Sequence, residues 1–236
     1  MPSFKTEKAL LLHIHPLGER ACMLSLLTSD KGRYVGVVKA KKIPDIASLV
    51  DCRWQARLEE QSGTFYIDNA SSCVIDYLDD KIRLALIQTV CEILHALLPE
   101  RQPMENLYQN TISLLYALND ENFICHYIDW EVNLLRTIGF GLDLTCCAGG
   151  GNRLDLAYIS PKTGRAVSRE KGLPYHDKLL ELPRFMWDKK TIPSQTDILK
   201  AFIITTHFFT THAGIKQLPM ARERFIHYVT FQQPSF

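Results

Sequence analysis

The feature that most constrains this chain is a change of hydrophobic period near Asp79. Before it, short apolar runs are separated by turn residues. Residues 9–14 form one run, Pro16 to Glu19 break it, and residues 21–27 form a second. The polar turn Thr28-Ser29-Asp30-Lys31-Gly32 leads into Val35, Val37 and Val38, and Pro44-Asp45 interrupt again. Trp54, Ala56 and Leu58 alternate with Gln55, Arg57 and Glu59, and Gln61-Ser62-Gly63 turn the chain into residues 64–68. Period-two alternation bounded by turn chemistry predicts strands. After Asp79 the spacing becomes helical. Ile82, Leu86, Val90, Ile93, Leu94 and Leu97 make one stripe that Pro99 ends. A second stripe runs from Met104 through Leu118, and a third from Phe123 to Ile138, with Gly139 and Gly141 where a helix would be capped.

These periods predict an α+β chain. About five strands in fewer than 80 residues suggest a small barrel, for which an OB-fold is the natural candidate and an SH3-like barrel the alternative. The expected domains are a barrel over residues 1–78 and a helical region over 79–236, with an irregular loop and short-strand insertion at 142–175. That insertion holds Cys146, Cys147, Gly149 to Gly151, a short strand near 154–159 and a turn at Pro161 to Gly164. Ser194 and Asp197 are spaced as a capping box for a helix, and Pro219 suits the first turn of a last one.

Charge singles out one window. In TSDKGRYVGVVKAKK, residues 28–42, the cations Lys31, Arg33, Lys39, Lys41 and Lys42 follow Asp30 with no further acid. A strand here would carry positive charge at both ends, which suits a polyanion. The formal net charge of the 236 residues is only +1, but it is unevenly spread. Residues 79–146 hold four basic residues against ten acidic, a net of −6, and residues 153–190 hold nine against five, a net of +4. An acidic middle flanked by basic segments can orient a polyanion while the whole stays near neutral. The second basic segment adds Arg153, Lys162, Arg165, Arg169 and Lys171, which are either a second polyanion contact or an ordinary solvated loop.

Tyr34, Trp54, Phe65 and Tyr66 are possible base-stacking residues, although the alternation around Trp54 points its ring inward. His13 and His15 project from one side of a strand but lack a third ligand. His207 and His212, five apart on a helix, are not expected to share a face. No Gly-x-Ser-x-Gly, Walker or HExxH pattern occurs, and Gly149 to Gly151 do not join a strand to a helix start as a phosphate cradle would. Seven cysteines, an odd number, predict free thiols in a reducing compartment. The opening residues predict no secretory leader, and no run reaches membrane-span length, so a cytoplasmic protein is expected.

The order of elements resembles the bacterial RecO family of recombination mediators. The likeness is carried by Gly18-Glu19 after the first strand, the turn from Thr28 to Arg33, and the basic end Val38-Lys39-Ala40-Lys41-Lys42. Further along, Glu131, Leu134-Leu135, Gly139-Phe140, Leu142, Leu144 and Cys146 carry it. YISPKTGRAVS at 158–168 and PMARER at 219–224 complete it. The resemblance implies a non-enzymatic DNA-repair protein that binds single- and double-stranded DNA and anneals strands. Its implied partners are RecR, the C-terminal tail of single-stranded DNA-binding protein and, indirectly, RecA, with no membrane and no cofactor. A nucleic-acid hydrolase or nuclease, or an OB-fold module serving RNA, are the alternatives. Some members of the family carry zinc on paired cysteines. Here Cys146 and Cys147 are adjacent and no cysteine follows, so the expectation is a degenerate zinc-site-like loop, with Cys146 the remnant of the first ligand and no metal.

Overall fold

The computed structural model describes residues 2–39, 43–58, 61–104 and 106–231. Five strands, β1 (Ser3–Pro16), β2 (Cys22–Thr28), β3 (Gly32–Val38), β4 (Ser48–Gln55) and β5 (Gly63–Ser72), close into a barrel in the order β1-β2-β3-β5-β4. All neighbouring pairs are antiparallel except β3 and β5, which close the barrel in parallel. This is the arrangement expected of an OB-fold. One long strand serves both sides: β1 pairs with β2 and with β4, and its register shifts at Leu11/His13 and at Thr6/Ala9. Such bulges bend a strand and let it cross from one side of a closed barrel to the other.

The barrel interior is filled by Leu11, Leu24, Leu26, Val50, Trp54 and Phe65. Trp54 is 2% exposed, stacks on Phe4 at 5.5 Å and donates its indole N–H to the Val35 carbonyl at 3.4 Å. Its alternation in the sequence had pointed the same way. A ring this large closes the barrel only where the facing backbone has no side chain. A Cβ at Gly63 would lie 2.3 Å from Trp54 Cε2. The next predicted alternation fails, because β4 ends at Gln55 and Leu58 is exposed.

Helix α1 (Lys81–Leu97) follows, with Asp80 as its N-cap. Asp80 Oδ1 accepts from the backbone N–H groups of Ile82 and Arg83, both at 3.0 Å, so the second of the two acids before the helical period is the cap. Next come α2 (Leu107–Tyr116) and α3 (Phe123–Thr137), then β6 (Leu156–Ile159), β7 (Ala166–Ser168), the short α4 (Arg169–Gly172), β8 (Leu180–Glu181), α5 (Gln195–Thr211) and α6 (Met220–Phe231). Gly139, two residues past α3, has φ of +93°, the left-handed turn a helix C-terminus requires.

The chain divides into two compact units. One comprises residues up to 116 together with 219–225, the other residues 117–218 together with 226 onward. The change of period at Asp79 therefore marks where strands give way to helices, whereas α1 and α2 stay with the barrel. In the second unit Tyr127 packs on Trp130 and Phe202, and its hydroxyl donates to the fully buried Glu131 at 2.5 Å. A buried carboxylate without such a donor would be costly. The 142–175 segment is more regular than expected. Strands β7, β6 and β8 form a three-stranded sheet with β6 central and wholly buried. The short strand expected near 154–159 is this one, four consecutive apolar residues from Leu156 to Ile159.

Candidate nucleic-acid interface

The turn between β2 and β3 is built by its own polar side chains. Thr28 Oγ1 accepts from the Lys31 N–H at 3.0 Å and donates to the Gly32 carbonyl at 2.8 Å. Gly32 takes φ of +81°, and a Cβ there would lie 2.1 Å from the Gln102 carbonyl oxygen. This holds Lys31 at the outer corner, its ammonium 3.2 Å from Asp30 and 5.9 Å from the Phe4 ring centre. Lys39 lies exposed just past the other end of β3. At about 3.3 Å per residue the two lysines are roughly 25 Å apart, so they serve the two ends of a strand and not one cluster. Lys41 and Lys42 lie outside the described residues.

Arg33 has a different setting. Its side chain is 11% exposed, Nε donates to the Leu98 carbonyl at 2.7 Å, Nη1 donates to Ser25 Oγ at 3.3 Å, and Nη2 is 3.6 Å from Glu100. Burial lowers its pKa and Glu100 partly offsets this. The guanidinium ties the loop after α1 to the edge of β3, leaving little of it for a ligand. Arg101, in the same loop, lies 5.4 Å from the Trp54 ring centre and donates to the Gln61 carbonyl at 2.6 Å.

The barrel presents cations that the linear sequence did not suggest. Cross-strand register places Lys5 opposite Arg53 and Arg53 opposite Tyr66, giving a Lys-Arg-Tyr row across β1, β4 and β5. The Arg53 guanidinium lies 5.5 Å from the Tyr66 ring centre and 3.3 Å from Asp68. Tyr66 is 47% exposed while Phe65 is buried, so the alternation of β5 turns Tyr66 outward. The signal was period two in each strand. Finding the row required the register, which no single strand contains.

In the second unit, Arg165 is 3.7 Å from Asp143, Arg169 is 3.6 Å from Asp155, and Lys171 is 3.0 Å from Glu170. Each is substantially exposed and paired with an acid. Exposed pairs are worth only about 0–1 kcal/mol, so a phosphate can replace the acid at little cost.

The histidines divide. His13 stacks on His95 with ring centres 4.3 Å apart. His207 and His212, not expected to share a face, converge: their Nε2 atoms lie 3.0 and 2.7 Å from the Pro161 carbonyl oxygen. His212 follows the last residue of α5, where helical spacing no longer applies. Among the described residues no three His, Cys, Asp or Glu side chains are gathered as metal ligands. Cys146 is exposed, and the sulfur built into the loop is that of Cys147, 8% exposed. Burial would raise its pKa, but the Ser168 hydroxyl and the N–H groups of Ser168, Gly151 and Gly149 outweigh this and bring it to about 7.

Residues 78–220 match the family model described as Recombination protein O C terminal. The DNA repair protein RecO of Rhodospirillum centenum is 36% identical over 232 residues, covering 94% of this chain and 92% of that protein. This chain belongs to the RecO family. The RecO proteins of Rhodospirillum rubrum (34% identity, 94% of each chain) and Jannaschia sp. (36%, 92% of each) match it at the same level. The RecO likeness thus extends through the barrel as well as the helices. Among the described residues no helix is long and apolar enough to cross a membrane.

Proposed function

We propose that the protein is a DNA repair and recombination mediator that captures single- and double-stranded DNA through its backbone and promotes annealing. With RecR, it helps load RecA onto gaps coated by single-stranded DNA-binding protein, whose C-terminal tail it engages. Its mechanism is binding, not covalent chemistry. The observation that carries this reading is the closed barrel of a RecO-family chain whose outer surface bears Lys5 and Arg53 in a row with the exposed Tyr66, and Lys31 and Lys39 at the two ends of β3. Lysine and arginine neutralise phosphates and release counterions without regard to sequence, and an exposed aromatic ring accepts any base. Lys41 and Lys42 extend the set in sequence, and Arg165, Arg169 and Lys171 are proposed as a second contact region.

Incubating the purified protein with complementary labelled strands and magnesium tests the reading. Accelerated annealing with intact strands is expected. Strand cleavage would overturn it in favour of a nuclease.

A further inference from the structure

The loop after α1 is held in place at a cost. Arg101 has φ of +60°, the left-handed region that a Cβ makes unfavourable and that glycine or asparagine normally fills. Its Nε is buried with no hydrogen-bond partner among the described residues. Under the loop, a cavity of about 30 Å³ separates Leu98 and Gln102 from Thr28 and Gly32 of the β2–β3 turn, so the contact between them is incompletely packed. On its outer side Pro99, Glu100, Gln102 and Pro103 are exposed.

Two guanidinium groups fasten it. That of Arg101 lies 5.8 Å from the Tyr34 ring centre and 5.4 Å from that of Trp54, and donates to the Gln61 carbonyl. That of Arg33 reaches from β3 to the Leu98 carbonyl and to Glu100, while the Arg101 N–H donates to the Arg33 carbonyl at 2.7 Å. These partners are neutral carbonyls and ring faces, except for Glu100, whose carboxylate is 3.6 Å from Arg33 and 45% exposed. A phosphate meets a guanidinium in the same charge-assisted way as a carboxylate does. Glu100 therefore stands where a phosphate oxygen would, on a cation of the basic window that the fold withholds from solvent.

We propose that residues 98–104 are an autoinhibitory strap, which single-stranded DNA displaces by exchanging a phosphate for Glu100 on Arg33. The turn that bears Lys31 lies directly against the strap, since a Cβ at Gly32 would meet the Gln102 carbonyl. A strand drawn in by Lys31 arrives beside the Arg33–Glu100 pair. When the strap leaves, Arg101 regains an ordinary backbone conformation and its buried N–H reaches water, which offsets part of the cost of opening. Arg33 and Lys31 then serve the same strand. This rests on the DNA-binding reading and adds to it a closed state of lower affinity that the strand itself opens.

Hydrogen exchange of the wild type, followed by mass spectrometry in the peptide spanning residues 98–104 with and without a saturating thymidine strand, tests it. Binding ordinarily slows exchange at the surface it covers; here the strand should speed exchange severalfold in residues 98–104. Anisotropy titrations at several salt concentrations supply a second readout. Arg33→Gln should flatten the salt slope of strand affinity by about 0.7, the share of one phosphate contact on a single strand, and Arg33→Lys should keep it. Exchange in residues 98–104 that slows or stays the same in the saturated complex would overturn the proposal and leave DNA binding intact. So would a slope unaltered by Arg33→Gln. If the strand did not bind at all, the DNA-binding reading would fall and the strap's role with it.

Discussion

Arg33 and Lys31 are two residues apart in one basic window, and their side chains have opposite employment. Lys31 stands at the outside of a turn, while Arg33 is folded against the Leu98 carbonyl. Strand alternation alone would send both to the same side. What separates them is the loop after α1, which reaches the edge of β3 and covers only the arginine. A second contrast at this scale is His95. Burial, the stacked His13 and the nearby Arg33 lower its pKa to about 4, and its Nδ1 is buried with no hydrogen-bond partner among the described residues. The folded state therefore holds the neutral imidazole, with a pKa below the unfolded value of about 6.5. The stability this contributes is fully present above about pH 6.5 and is lost as pH falls toward 4. Urea unfolding of the wild type should lose more stability between pH 7 and pH 4.5 than that of His95→Gln, and parallel losses would refute the assignment.

At the scale of elements, the helix signals read from the sequence reappear as hydrogen bonds. The capping box opening α5 is complete: the Asp197 N–H donates to Ser194 Oγ at 3.2 Å, and the Ser194 N–H donates to Asp197 Oδ2 at 2.9 Å. The Ser194 hydroxyl, donating to Asp197 Oδ2 at 2.7 Å, and the Ser194 N–H hold the Asp197 carboxyl below the usual carboxylate range. Ser194→Ala should cost about 1 kcal/mol, visible as a lower denaturant midpoint with unchanged slope. No change would mean that α5 is held by packing alone. Strand ends were harder to read than helix starts. The alternation through Leu58 outruns β4 because Ala56 and Leu58 continue the pattern after the pairing with β5 has stopped. A helix cap is a contact between residues three apart and is present in the sequence. A strand end is set by where its neighbour stops, about ten residues away.

For the molecule as a whole, near-zero net charge and local basic surfaces together make a prediction about salt. If phosphate contacts dominate, the logarithm of affinity should fall linearly with the logarithm of salt concentration, with a slope near −0.7 per contact on single strands. Replacing Lys39, Lys41 and Lys42 together by glutamate should weaken binding and flatten that slope. An unchanged affinity and slope in an anisotropy titration would place the interface elsewhere. The change of period at Asp79, the five strands, the inward Trp54 and the helix caps follow from the sequence alone, because each rests on neighbours within a turn or a pleat. Two features were decided only by the tertiary structure: the Lys5-Arg53-Tyr66 row and the burial of Arg33. Each joins residues tens of positions apart through register or packing, and neither is written in any local stretch of the chain.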